Sequence, residues 1–156
     1  MQEIIKYTHD EFRGDLLSIV RQAEQDNFRP DFVAGIARGG LVPAVYLAQW
    51  FECPVITVRC SLRDNDEIDL SELYELGEKD KVLLVDDIID SGDSFETIEK
   101  EFSNHTGMDI KDAIQLRTAS LWYNLNQSYD ADYIGREFQR KFERRWIVFP
   151  WEDFWK

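Results

Sequence analysis

Val82-Leu83-Leu84-Val85-Asp86-Asp87-Ile88-Ile89-Asp90-Ser91-Gly92-Asp93-Ser94 is the stretch from which the rest of the chain is best read. Four consecutive apolar residues, two of them valine, have the length and β-branching of a buried strand. Two aspartates stand where that strand would emerge. Asp90 to Ser94 then offers turn and cap chemistry, and Phe95, Ile98 and Phe102 begin a helical repeat. A strand, a tight polar loop and a helix start make an anion site, because free backbone N–H groups and the positive helix end converge on the loop. Gly92 permits positive φ and close backbone approach, and Ser91 and Ser94 add hydroxyl donors. Carboxylates at the strand tip suit sugar hydroxyls, or a divalent cation carried with a phosphate ligand. Two other readings compete. One is an acidic turn facing solvent; the other is a DDxxD metal site, which belongs on a helix and is disfavoured by Val82–Val85.

Working outward, the same order occurs upstream. Asp31-Phe32-Val33-Ala34-Gly35-Ile36 reads as a buried strand, followed by Ala37-Arg38-Gly39-Gly40 and an apolar helix over 41–48 with Pro43 in its first turn. This loop carries an arginine, which suits an anion that the acidic loop would repel, and Gly39-Gly40 lets backbone amides come close to it. Thr8 and Glu11 have capping-box spacing ahead of an amphipathic helix carrying Phe12, Leu16, Ile19, Val20 and Ala23. Further strands are expected at 53–59 and 114–123, with an edge strand at 129–133 and a short basic helix or loop at 136–145. Residues 60–79 are charged and poor in apolar positions, as expected of an excursion over the surface. The chain then runs Trp146-Ile147-Val148-Phe149-Pro150-Trp151-Glu152, whose flat side chains make stacking surfaces for a heterocyclic base.

Length and composition bound the answer. At 156 residues, 44% hydrophobic and 31% charged, the chain is expected to form one α/β domain over residues 1–156, with a mostly parallel sheet, helices on both faces and ligands at the strand carboxyl ends. The net charge of −13 argues against nucleic acid or anionic membrane as partners, and no apolar run reaches the length of a membrane span. The N-terminal residues lack a signal-peptide pattern, and Cys53 and Cys60 lack paired spacing, so a cytoplasmic protein with reduced thiols is expected. Acids concentrate between residues 60 and 101, whereas Arg136, Arg140, Lys141, Arg144 and Arg145 cluster beyond them. Such asymmetry marks solvated faces or complementary subunit contacts.

The stretch 82–94 resembles the phosphoribosyl-diphosphate (PRPP) fingerprint of the type I phosphoribosyltransferases. Gly35-Ile36-Ala37-Arg38-Gly39-Gly40-Leu41-Val42-Pro43-Ala44 is similar to their pyrophosphate loop, and Trp146 to Glu152 is similar to the tail of the 6-oxopurine members, the xanthine–guanine and hypoxanthine enzymes. The resemblance spans residues 31–152. It implies transfer of the phosphoribosyl group to guanine, xanthine or hypoxanthine in purine salvage, with Mg2+ as cofactor, in a homodimer or homotetramer.

The resemblance also distributes roles. Arg38, Gly39 and Gly40 would take the pyrophosphate, and Asp86 and Asp87 the ribose hydroxyls, with Asp87 the metal ligand. Ser91, Gly92, Asp93 and Ser94 would hold the 5′-phosphate. Asp90 would be the general acid or base near purine N7, and Arg38 would act with it in catalysis. Trp146 would stack on the base, Ile147 would meet its edge, and Arg63 would close from a hood at about 60–79. The base-binding tail would run over about 124–156. One residue departs from the pattern: Asn124 stands where these members carry a lysine that contacts the purine 6-oxo group. Replacing a charged hydrogen bond there costs about 1.5–3 kcal/mol, enough to alter base choice. A non-catalytic sensor of PRPP or nucleotide, and a transferase for adenine or a pyrimidine, therefore stay open beside the 6-oxopurine reading.

Overall fold

The computed structural model describes residues 3–62, 67–140 and 146–152. Arg63 and residues 141–145 and 153–156 lie outside that description. The chain begins with strand β1 (Ile4–Lys6), helix α1 (His9–Gln25), β2 (Phe32–Ala37), α2 (Leu41–Phe51), β3 (Val55–Cys60), β4 (Ile68–Asp69) and the short α3 (Ser71–Tyr74). It continues with β5 (Lys81–Ile89), α4 (Asp93–Thr106), the short α5 (Ile110–Ala113), β6 (Gln115–Asn124), β7 (Tyr133–Phe138) and β8 (Trp146–Val148).

Six strands form the main sheet in the order β4-β3-β2-β5-β6-β7. All neighbours are parallel except the β3–β4 pair at its edge. Alternation along the strands builds two cores. Val33, Leu83, Val85, Ala119 and Leu121 face α1 and α2, meeting Phe12, Ile19, Leu47 and Phe51. Ala34, Ile36, Val82, Leu84 and Leu116 face the other way, towards Phe95, Ile98, Phe102 and Ile110. Burying Phe95 fully contributes roughly 1.5–3 kcal/mol and ties the first turn of α4 to the sheet. This is the expected α/β architecture. Chain direction across the sheet reverses between β2, which leads outward to β3, and β5, which leads to β6 and β7. Ligands bind at such a switch point, outside the strand carboxyl ends.

Helix α1 starts where the capping box places it. The Thr8 hydroxyl accepts from Glu11 N at 3.2 Å, and Glu11 Oε2 accepts from Thr8 N at 2.8 Å. The cap bonds and Arg136 hold the Glu11 carboxyl below its ordinary range. Thr8→Ala is expected to lower unfolding stability by about 1 kcal/mol, read as a reduced midpoint in urea with unchanged slope.

Three expectations are corrected. Residues 67–76 are not simply a surface excursion: Leu70 and Leu73 are fully buried beside Val58 and Ile98, because the few apolar residues of this acidic stretch fall one helical turn apart. The edge strand is Tyr133–Phe138 rather than 129–133, since Tyr129 turns inward against α4, its hydroxyl donating to Glu99 at 2.8 Å. Residues 136–138, expected in a basic helix or loop, are the end of that strand. A further strand, β1, pairs in parallel with β8 as a separate two-stranded sheet, Ile4 opposite Trp146.

Candidate active site

Both anion loops lie at the switch point. After β2, Gly40 closes onto Ile36, its N–H donating to the Ile36 carbonyl at 2.8 Å, and serves as the N-cap of α2. The Ala37–Arg38 peptide is cis. Gly39 lies flat on the Asp87 carboxylate: a Cβ placed there would stand 2.1 Å from Oδ2 and 2.5 Å from Cγ. Any side chain at 39 would displace Asp87. The pyrophosphate loop of the resemblance and the tip of β5 are thus in direct contact, and Arg38 is exposed beside them.

Asp86 and Asp87 belong to β5 rather than following it. Alternation turns Asp86 towards Cys60 and Asp87 towards Gly39, while Asp87 N donates to Asp86 Oδ1 at 2.9 Å. Burial, then the neighbouring carboxylate, push the Asp86 carboxyl well up, and burial raises Asp87. Acids raised in this way gain from a cation. Among the described residues no cluster of three or more His, Cys, Asp or Glu is placed to hold a metal by protein ligands alone. One or two carboxylates supplemented by phosphate oxygens and waters are instead the usual Mg2+ set, so Asp87, which faces the glycine loop, fits a Mg2+ that arrives with a phosphorylated ligand.

From Asp90 the chain turns through Ser91 into α4, with Ser91 Oγ accepting from Asp93 N at 3.3 Å. Gly92 is the N-cap at φ 83°, a region open to glycine, and Tyr129 Cβ would lie 2.4 Å from any Cβ at that position. Gly92 offers no side-chain cap, and although Ser91 Oγ takes the Asp93 N–H, the positive end of this 14-residue helix is presented at Ser94 to an outside acceptor.

Opposite stands the tail. Trp146 is 45% exposed, while Ile147, Val148 and Phe149 are buried. Trp151 stacks on Phe149 with centroids 4.9 Å apart, and Glu152 Oε2 accepts from Phe149 N at 3.1 Å. Tyr7 N donates to Val148 O at 3.0 Å and fastens the tail to the domain. Behind it, the Arg136 guanidinium lies 5.0 Å from both the Tyr7 and Trp122 rings, while its Nε donates to Asp15 at 2.6 Å. A cavity of about 1190 Å³ extends between the two loops and this wall, bordered by Arg38, Asp86, Asp87, Asp90, Ser91, Ser94, Trp146 and Ile147. The structure therefore brings together Arg38, Gly39, Asp86, Asp87, Asp90, Ser91, Gly92, Asp93, Ser94, Trp146 and Ile147, with Gly40 directly behind.

Asn124 is placed differently from an open base contact. It is buried, its Nδ2 donates to the Asp90 carbonyl at 2.9 Å and to Asp90 Oδ1 at 3.2 Å, and its Oδ1 accepts from Asn126 N and Arg140 N. Arg140, which sequence reasoning assigned only to a basic cluster, reaches the centre of the site. Its Nη2 lies 2.7 Å from Asp90 Oδ2, and its Nε lies 3.1–3.2 Å from both carboxylate oxygens. The available signal was its position between an edge strand and the aromatic tail, in a chain otherwise strongly acidic.

A mostly parallel α/β sheet with a glycine-capped helix start, a strand-tip diacid and a glycine–arginine loop at its switch point is the arrangement of a phosphoribosyl-transfer domain. The profile of the Phosphoribosyl transferase domain family matches residues 11–152, and the chain belongs to that family. Among solved structures, the chain is similar to a purine phosphoribosyltransferase from Pyrococcus horikoshii Ot3, with TM-score 0.71 at 24% identity, covering 99% of this chain and 96% of that one. It is also similar to the Helicobacter pylori xanthine-guanine-hypoxanthine phosphoribosyltransferase, with TM-score 0.69 at 26% identity, covering 94% and 92%. A hypothetical protein from Neisseria gonorrhoeae with bound ppGpp aligns at TM-score 0.74 and 20% identity, covering 97% and 90%. No protein of curated function matches the chain.

Proposed function

We propose that this protein transfers the 5-phosphoribosyl group of PRPP to a 6-oxopurine (guanine, xanthine or hypoxanthine), releasing pyrophosphate and forming the nucleoside monophosphate in cytoplasmic purine salvage. The observation that carries the reading is the position of Asp90, which joins the phosphate cradle Ser91–Ser94 to a cavity whose far wall is Trp146. In this reaction N9 of the base attacks C1 of the ribose, the C1–O bond to pyrophosphate breaks, and the proton on N7 passes to the Asp90 carboxylate. Arg38 and the backbone amides of Gly39 and Gly40 take the charge that develops on the leaving pyrophosphate. The helix start at Ser94 holds the 5′-phosphate, and Asp86 and Asp87 orient the ribose. Asp87 would hold a Mg2+ arriving with the substrate, and that ion would supply charge neutralisation for the leaving pyrophosphate.

Incubation with PRPP, Mg2+ and each purine base, following pyrophosphate release, tests the proposal. Turnover of at least one 6-oxopurine is expected; none with any of the three would sink it. Trp146→Ala is expected to raise the KM for base about tenfold while PRPP affinity stays unchanged, and an unaltered KM would remove Trp146 from the base site. A second reading, a non-catalytic binder of phosphorylated ribose, draws on the Neisseria gonorrhoeae neighbour, whose structure holds ppGpp. Tight nucleotide binding without turnover across the whole base panel would select it.

A further inference from the structure

We infer that Arg140 is the residue that reads position 6 of the base, a proposal resting on the reading that the chain binds purines. Asp90 and Arg140 form a forked ion pair, with Nε against both carboxylate oxygens and Nη2 2.7 Å from Oδ2. The pair borders the cavity with Trp146 and Ile147, and both side chains keep about two-fifths of their surface exposed, 42% for Arg140 and 39% for Asp90. An acceptor and a donor therefore stand side by side on the border of the cavity that Trp146 also borders.

Position 7 and position 6 of a purine also stand side by side on one edge. A 6-oxopurine protonated at N7 presents a donor next to an acceptor, N7–H next to O6, whereas adenine carries an amino group at position 6. The Asp90–Arg140 pair is the complement of the first: the carboxylate accepts N7–H and the guanidinium donates to O6. Against adenine, guanidinium N–H would meet amino N–H, and a guanidinium has no acceptor to offer. A carboxylate has about four lone-pair sites; the bifurcated Arg140 Nε, Arg140 Nη2 and Asn124 Nδ2 are three donors to it, which leaves a place for N7–H.

Asn124 does not perform this reading. Its Nδ2 is committed to Asp90, and its Oδ1 accepts from Asn126 N at 3.1 Å and from Arg140 N at 3.3 Å. It holds the two members of the pair at their stations. The Arg140 guanidinium is further steadied 5.7 Å above the Phe138 ring.

The experiment compares the unmodified protein with Arg140→Leu and Arg140→Lys. Turnover of hypoxanthine and adenine is measured with PRPP, and IMP, AMP and PRPP affinities are measured by titration. For Arg140→Leu, kcat/KM for hypoxanthine and affinity for IMP are expected to fall about ten- to a hundredfold, with clearly smaller losses for adenine and AMP and PRPP affinity retained. Arg140→Lys, which keeps one charged donor, is expected to recover part of the IMP preference. Equal losses for hypoxanthine and adenine, or an unchanged IMP:AMP ratio in Arg140→Leu, would overturn the inference and leave Arg140 as a support for Asp90. The nucleotide titrations do not need turnover. A chain that binds IMP over AMP through Arg140 without catalysis would refute the transferase reading and uphold this one.

Discussion

Asp90→Asn is expected to lower kcat by about 10²–10⁴-fold while PRPP affinity changes by no more than about threefold. The replacement keeps size and shape and removes the acceptor for the N7 proton. The phosphate cradle is built from backbone groups beyond Gly92, with Phe95 fully buried behind them, so it does not depend on the Asp90 charge. The Asn124 Nδ2 bond to the Asp90 carbonyl involves only backbone at position 90 and survives the change. Single-turnover rates and a PRPP titration on the same sample separate the two quantities. Parallel losses in both would make Asp90 a ligand-positioning residue rather than the acid or base.

Gly39→Val should weaken PRPP binding by about a hundredfold, or about 3 kcal/mol, with little change in thermal stability. The added side chain collides with the Asp87 carboxylate, whose Cγ and both oxygens lie within 2.8 Å of the new Cβ. Asp87 is a short side chain bordering the cavity, so it can rotate away without disturbing either core. On the proposed reading, its departure would take away a ribose and Mg2+ contact while the valine would obstruct the amides offered to the pyrophosphate. Gly40→Ala makes the contrasting case, because a Cβ there meets the Val85 carbonyl at 2.3 Å, which is backbone of the central strand. That variant is expected to lose Tm first. Calorimetry alongside PRPP titration on both variants decides the matter, and a Gly39→Val protein with unaltered PRPP affinity would show that the two loops do not share the ligand.

The β5–α4 junction was legible in sequence because its signals are local: a valine-rich run, a glycine needed at positive φ, and a change to helical spacing at Phe95 and Ile98. The Thr8 capping box was legible for the same reason. Long-range pairings were not. β1 is three residues long and exists as a strand because Ile4 to Lys6 pairs with Trp146 to Val148. Leu70 and Leu73 look isolated among acids, and only the groove beside Val58 makes them core. Arg140 and Asp90 are 50 residues apart, and nothing in either segment announces their ion pair. Asn124 could be aligned to a position, yet the commitment of its amide to Asp90 depends on how β6 runs beside β5.

The pairing of β1 with β8 also bears on the order in which the molecule is made. Its register joins Ile4 to Trp146, a contact between residues far apart in sequence, while the main sheet is assembled from neighbouring strand–helix units. Closing so long a loop is entropically costly until the intervening domain has drawn its ends together, and contacts of this separation form late. The phosphate cradle can therefore exist before the aromatic wall does. On the proposed reading, the part of the site that would take the phosphorylated sugar is complete before the part that would choose the base.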